Sequence, residues 1–201
     1  MNYRATIAYD GTDYFGWQIQ ANHRTIQAEI SHALAKLEGT SVTVHGAGRT
    51  DTGVHAEGQV ASFQLTREWS GKVLQRAING NLPQDIRVMS VETVDDEFHA
   101  RYSARGKTYR YQLCNAEVMS PLIARYAWHY PYQLNIEKLK LDAEVLIGTY
   151  DFSAFTVASC ETESKVRTIT DLRVDADRSM MTLYFSGEGF LRYQVRTMVS
   201  C

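Results

Sequence analysis

The densest group of reactive side chains lies in residues 46–56, Gly-Ala-Gly-Arg-Thr-Asp-Thr-Gly-Val-His-Ala. Arg49 and Asp51 stand two positions apart, so in an extended stretch both side chains project to one face. A fixed guanidinium beside a carboxylate favours the ionised form. An ionised, oriented carboxylate acts as nucleophile or base. The glycines of the same stretch let a ligand approach the main chain closely. Taken alone, Gly-Arg-x-Asp is more often a surface turn with an incidental ion pair than a site, so the rest of the chain has to decide.

Spacing disposes of several sharper readings. Gly46-Ala47-Gly48 does not complete a GxGxxG fingerprint, because Asp51 holds the place of the last glycine, and there is no Walker Lys-Ser/Thr pair. Asp51-Thr52-Gly53 matches the aspartic-protease triplet, but that chemistry needs two carboxylates sharing a proton, and the chain carries no second Asp-Thr-Gly or Asp-Ser-Gly. A dimeric protease is left as a remote alternative. His45 and His55 have no carboxylate or histidine at a recognised metal-ligand spacing, so a core or supporting role fits them better and no metal is expected.

The elements that must position this loop read as follows. Tyr3, Ala5, Ile7 and Tyr9 alternate with Arg4, Thr6, Ala8 and Asp10, the pattern of a half-buried strand. Thr25 is a helix N-cap, the stripe Ile26, Ile30, Ala33, Leu34 and Leu37 follows it, and Gly39 is placed to stop the helix. Val42 and Val44 open a short strand into the loop, and Ala61, Phe63 and Leu65 alternate after it. Trp69, Val73, Ala77 and Ile78 then space as a helix, and Ile86, Val88 and Val91 as the next strand. Strand-helix-strand-strand-helix-strand is the order of the ferredoxin-like split βαβ unit. The second half partly repeats it. A long strand is expected over 102–113, a helix over 136–147 capped by Asn135, two strands over 169–174 and 181–185 about a polar turn, and a last helix from about Phe190. The fold class is α+β.

With 201 residues, 44% hydrophobic and 22% charged, the chain has the composition of a globular domain able to form its own core. Cys114, Cys160 and Cys201 form no CxxC pair and read as thiols of a reducing compartment. No stretch has signal-peptide or membrane-span character, so a cytoplasmic protein is expected. A net charge of −2 gives no global support to a nucleic-acid partner. Local charge does: residues 98–116 and 189–201 contain no acid, the first holding Arg101, Arg105, Lys107 and Arg110, the second Arg192 and Arg196. Tyr102, Arg105, Tyr109, Arg110 and Tyr111 mix aromatic and basic residues in a way that suits RNA.

Gly48 to Ala56, Gly-Arg-Thr-Asp-x-Gly-Val-His-Ala, closely resembles the active-site motif of the tRNA pseudouridine synthase A family. Other family-like segments follow in the expected order: Tyr9-Asp10-Gly11-Thr12 with Phe15-Gly16-Trp17-Gln18, then Asn81-Leu82-Pro83 and Phe98-His99-Ala100-Arg101. Lys107-Thr108-Tyr109-Arg110-Tyr111, Asp151-Phe152-Ser153-Ala154-Phe155, and Phe190-Leu191 leading to Val195-Arg196 complete the series. The resemblance covers essentially the whole chain.

What the resemblance implies is specific. The fold would be the pseudouridine synthase fold, two ferredoxin- or RRM-like halves around a central antiparallel sheet with flanking helices. Residues 1–97 would be the half carrying the catalytic loop, and 98–201 a C-terminal half that is incomplete, since family members usually run on further. The activity would be isomerisation of uridine to pseudouridine in the anticodon arm of tRNA, usually positions 38–40, without cofactor or metal and on a homodimer. Asp51 would be the catalytic aspartate, Tyr109 the ring that stacks on the target base, Arg49 the cation occupying the space left by the flipped base, and Arg196 the arginine that pairs with the aspartate. Arg101, Arg105 and Arg110 are candidates for phosphate contact. The alternative is an RNA-binding fragment of such an enzyme with weak activity or none. Gln194 and Ser200 depart from the residues usual at those positions of the family, Met and Gly.

Overall fold

The computed structural model describes residues 1–157 and 162–201, so Cys160 lies outside the described residues. The chain forms two compact units, Met1–Ala104 and Arg105–Cys201.

In the first unit the elements are β1 (Asn2–Tyr9), α1 (Ile26–Glu38), β2 (Val44–Gly46), β3 (Ala56–Gln64), α2 (Gly71–Asn79) and β4 (Ile86–Val94). The sheet order β2-β3-β1-β4 is the ferredoxin-like one anticipated from the sequence. One sheet face carries Tyr3, Ala5, Ile7 and Tyr9, with Phe63 paired to Tyr3 and Ala61 to Ala5. Both helices bury their apolar residues in this same core. Alternation along β1 therefore sends Arg4 to the other face, where it stands in one row with Ser62 and Glu92, and Ser62 in turn with His45.

Helix α1 begins and ends for the expected reasons. The Thr25 hydroxyl accepts the Ala28 N–H at 3.4 Å, and Gly39 donates to Ala35 O at 2.8 Å. For α2 the expected face is off by one position. Leu74 and Ile78, four apart, are the buried residues; Val73 is exposed and Trp69 precedes the helix. Trp69 is held instead by a bond from its backbone N–H to Tyr3 Oη at 2.8 Å.

The second unit contains β5 (Lys107–Cys114), β6 (Trp128–His129), α3 (Ile136–Glu144), β7 (Gly148–Asp151), a 3-10 turn (Ser153–Phe155), β8 (Val166–Asp177), β9 (Met180–Gly187) and α4 (Gln194–Ser200). Its sheet runs β6-β5-β9-β8-β7. The core series β5, α3, β8, β9, with the two hairpin strands ordered outward from β5 as β9 then β8, repeats β1, α1, β2, β3 of the first unit. The short strands β6 and β7 are additions, and β6 lies parallel to β5.

Several boundaries differ from the sequence reading: α3 ends at Glu144 rather than 147, β8 runs Val166–Asp177 rather than 169–174, and three further differences have identifiable causes. The strand expected from Tyr102 starts only at Lys107, because 95–103 is bound to the first unit: Asn2 Nδ2 donates to Asp95 O (2.8 Å) and Phe98 O (2.9 Å), and Ala100 N–H donates to Ser62 Oγ (3.1 Å). The turn between β8 and β9 is only Arg178-Ser179, with Arg178 at φ 50°. Helix α4 starts at Gln194 rather than Phe190, since Tyr193 holds a left-handed φ of 62° that no α-helical residue adopts.

Candidate active site

The loop between β2 and β3 does not stand by itself. It is seated on the segment that follows β1. The Trp17 N–H donates to Thr50 O at 3.0 Å, and the Tyr9 and Thr50 hydroxyls are hydrogen-bonded at 2.8 Å. Gly53 N–H donates to Tyr14 O (3.3 Å), so bonds to 9–17 bracket Asp51 on both sides. Behind the loop, Ala47 N–H donates to Val60 O (2.8 Å) and Gln59 Nε2 to Gly48 O (2.6 Å). Val54 N–H closes a turn onto Asp51 O at 3.1 Å. The backbone on both sides of the half-buried Asp51 is thus fixed by hydrogen bonds reaching across some forty residues of sequence.

Close approach makes this seat demanding. Gly16 has φ 80°, and a Cβ there would come within 2.5 Å of Thr50 O and 3.1 Å of Asp51 C. A Cβ at Gly46 would overlap the Trp17 indole, at 2.6 Å from its nearest atom. Trp17 and Tyr14 are buried, and the Tyr14 phenol donates to Asp85 Oδ1 at 2.6 Å while the Arg24 guanidinium lies 4.6 Å from its ring. Burial first, and then the Asp85 hydrogen bond, push that phenol well above its ordinary range, so it stays a neutral donor. The register shift in β1 between Ile7 and Tyr9 falls where the seat begins, the usual place for a strand irregularity beside a site.

His55 closes the far end of the loop. Its Nδ1 lies 3.0 Å from Asp10 Oδ1 and 3.1 Å from Gly11 N. One ring nitrogen serves only one of these at a time. With the proton on Nε2 it accepts from Gly11, and with a proton on Nδ1 it donates to Asp10. The supporting role expected for His55 is what its contacts describe. Among the described residues, no group of three or more His, Cys, Asp or Glu side chains is placed to hold a metal ion.

The same-face pairing expected of Arg49 and Asp51 presumes an extended chain, yet β2 ends at Gly46 and a turn begins at Asp51. Arg49 is exposed, and among the described residues no salt bridge joins it to Asp51. Tyr109, on β5 of the second unit, is half-buried against that unit's core and meets Phe190 edge-on at 5.2 Å. Phe190 leads into α4, where Arg196 is exposed with its guanidinium 5.6 Å from the Tyr193 ring. Arg105 and Arg110 are exposed, and Arg101 lies exposed in the turn at 99–103. Because β5 alternates, Tyr109 and Tyr111 face the core and Arg110 the other side, so these three do not form one mixed surface.

Sequence reasoning placed Tyr9 on a half-buried strand and Gly16 and Trp17 in a family-like segment, but assigned none of Tyr9, Tyr14, Gly16 and Trp17 a part in holding the loop. The only signal was the local density of glycine and aromatic residues in 9–17, which the ordered motif matches had marked without explaining.

Comparison with known proteins places the chain in a family. The sequence profile described as tRNA pseudouridine synthase matches residues 5–103 and 143–201, and the chain belongs to that family. A "tRNA pseudouridine synthase A" of Streptococcus thermophilus (strain CNRZ 1066) is 46% identical over 202 residues, spanning 99% of this chain and 82% of the relative. A protein of the same description from Streptococcus pyogenes serotype M49 (strain NZ131) is 45% identical over 202 residues, spanning 99% of this chain and 81% of its own length. No helix among the described residues is long and apolar enough to cross a membrane.

Proposed function

We propose that this chain isomerises uridine to pseudouridine in the anticodon arm of tRNA, with Asp51 as its essential carboxylate. The observation that carries the reading is the seat of the 46–56 loop: hydrogen bonds on both sides of Asp51 fix its backbone, in a chain of this family. The reaction breaks the bond from ribose C1′ to N1 of the base, turns the base over and joins C1′ to C5; the C5 proton is lost and N1 gains one. The detached sugar carbon is electron-poor, and a rigidly placed carboxylate stabilises it or bonds to it, as in glycoside hydrolysis. Fixing the backbone beforehand means the carboxylate need not be ordered during the reaction.

The resemblance extends the proposal to other residues. Tyr109 is the ring that takes over stacking from the target base, worth ~1–3 kcal/mol per base, because a base must leave its stack before such chemistry. Arg49 and Arg196 are the two cations of the reaction, and Arg101, Arg105 and Arg110 contact phosphates. A homodimer as working assembly and the cytoplasm as compartment rest on the same resemblance.

The test is to incubate the purified protein with an unmodified tRNA transcript and map pseudouridine chemically. The expected result is product in the anticodon arm with the wild type and none with Asp51→Ala, while tRNA affinity is retained. Product from Asp51→Ala at the wild-type rate removes Asp51 from its role, and tRNA binding without product by the wild type leaves an RNA-binding protein.

A further inference from the structure

One cluster in the first unit is used by neither the core nor the loop. The His45 ring, on β2, lies 4.5 Å from the His99 ring at 38°, and His99 lies 4.5 Å from Tyr102 at 37°. The Arg101 guanidinium is 5.9 Å from the Tyr102 ring. Three consecutive rings thus run out into solvent with a cation at the outer end, and Tyr102 is 79% exposed.

The turn that presents them is tied down. Ser103 N–H donates to His99 O (2.8 Å), His99 N–H to Ser103 Oγ (3.3 Å) and Arg101 N–H to His99 Nδ1 (3.2 Å), while Ala100 is buried with its N–H on Ser62 Oγ. The Arg101 bond leaves His99 Nδ1 unprotonated, so a neutral ring carries its proton on Nε2. Although His45 is exposed overall, partial desolvation of its ring and then the neighbouring His99 hold it below its ordinary pKa. Single exposed aromatics are unremarkable on a protein surface. A fixed run of three, ending in a guanidinium, has a definite chemical complement: a flat π-face followed by an anion.

We infer that His45, His99, Tyr102 and Arg101 form a docking platform for an unpaired nucleotide of the RNA substrate, its base stacked on Tyr102 and its phosphate paired with Arg101. The inference rests on the proposed tRNA substrate. Arg101 is the one Lys or Arg in residues 95–103, a segment that opens with the exposed acids Asp95, Asp96 and Glu97, so it is the group there that can pair with a phosphate. The nucleotide held here is not the one converted. His45 stands in the row of Ser62 and Arg4, whereas the Asp51 loop is seated at Tyr9, five residues further along β1, about 16 Å of strand at ~3.3 Å per residue.

The experiment measures equilibrium binding of the full chain to an unmodified tRNA transcript at fixed salt, alongside single-turnover pseudouridine formation, for Tyr102→Ala, Tyr102→Phe and Arg101→Ala. Tyr102→Ala is expected to weaken binding about 5- to 150-fold, the loss of one stacked base, with the deficit in affinity rather than in the rate at saturating protein. Tyr102→Phe keeps the ring and should bind as the wild type does, and Arg101→Ala should lower the salt slope by about one counterion. A blunt-ended, fully paired RNA duplex should compete poorly. Wild-type affinity in Tyr102→Ala, or full competition by the paired duplex, overturns the platform. If the wild type makes no pseudouridine, it is the functional reading that fails, and the binding measurements still decide the platform.

Discussion

The two units repeat one strand-helix-strand-strand series but bury it to different depths. In the first, Tyr3, Ala5, Ile7, Ile26, Leu34, Leu74 and Ile78 are fully sealed from solvent. In the second, Leu113, Leu172, Val174, Leu183, Val195 and Met198 all keep some exposure, and α3 buries only Ala143. The proposed roles give this difference a use. The loop of Asp51 is anchored on the deeply packed unit, where displacing Trp17 or Tyr9 would mean disturbing the core itself, and a carboxylate proposed to react needs that fixity. Tyr109 and Arg196 sit on a thinner scaffold, and a ring proposed to stack on a base would tolerate small adjustments better than a reacting carboxylate would.

Leucine truncations give the sharpest test of that contrast. Leu34→Ala, at a site with 0% exposure, should cost roughly 3–5 kcal/mol, whereas Leu183→Ala, at 6%, should fall near the lower end of the Leu→Ala range, about 2–3 kcal/mol. Urea unfolding monitored by tryptophan fluorescence measures both. Equal losses would mean that the difference in burial is not a difference in packing energy. Next in size is Gly16→Ala. Its methyl group has to displace Thr50 O or Asp51, in a backbone conformation that disfavours alanine by about 1–2 kcal/mol. Single-turnover assays should show pseudouridine formation reduced about 100-fold, the consequence of an ångström-scale misplacement, with tRNA affinity retained; unchanged activity would show that the seat does not govern Asp51.

The smallest effect is a pH dependence confined to the first unit. The folded protein holds His45 below its ordinary pKa of 6.5, so the unfolded chain takes up the proton first as pH falls. Stability is therefore full above about pH 6.5 and declines as pH drops from there through the lower folded value. In His45→Gln that portion of the decline should disappear from thermal melts recorded between pH 7 and pH 5. A decline identical to the wild type would assign it to other groups.

Much of this organisation is legible in the sequence. Thr25 and Gly39 bounded α1, the alternation of Tyr3 to Tyr9 gave β1 and its core face, and the order of elements gave the ferredoxin-like first unit, because local signals and long-range packing agree there. Long-range bonds account for what was not legible. The strand expected from Tyr102 begins later because Asn2 and Ser62, almost a hundred and about forty residues away, capture the backbone just before it at Phe98 and Ala100. Strand β6 is two residues long and parallel to β5, below any period that a sequence displays. In the candidate site, Asp51 was visible as a motif, but its seat was not, since the contact of Trp17 with Gly46 joins two stretches that no local pattern connects. The basic-aromatic mixture expected of the Tyr102–Tyr111 region is split by strand alternation at Tyr109 and Arg110, and of its members only Tyr102 lies in the 99–103 turn, beside His99 and Arg101, which that expectation did not include.

The most direct measurement of the central claim is the single-turnover rate of Asp51→Asn on an unmodified tRNA transcript. This replacement keeps the shape of the side chain and removes only its negative charge, while the backbone seat stays intact. A rate indistinguishable from background, with wild-type tRNA binding and an unchanged melting temperature, is the predicted outcome. Conversion at a rate close to that of the wild type would contradict the account, because the reaction would then proceed without the carboxylate that the whole loop is arranged to hold.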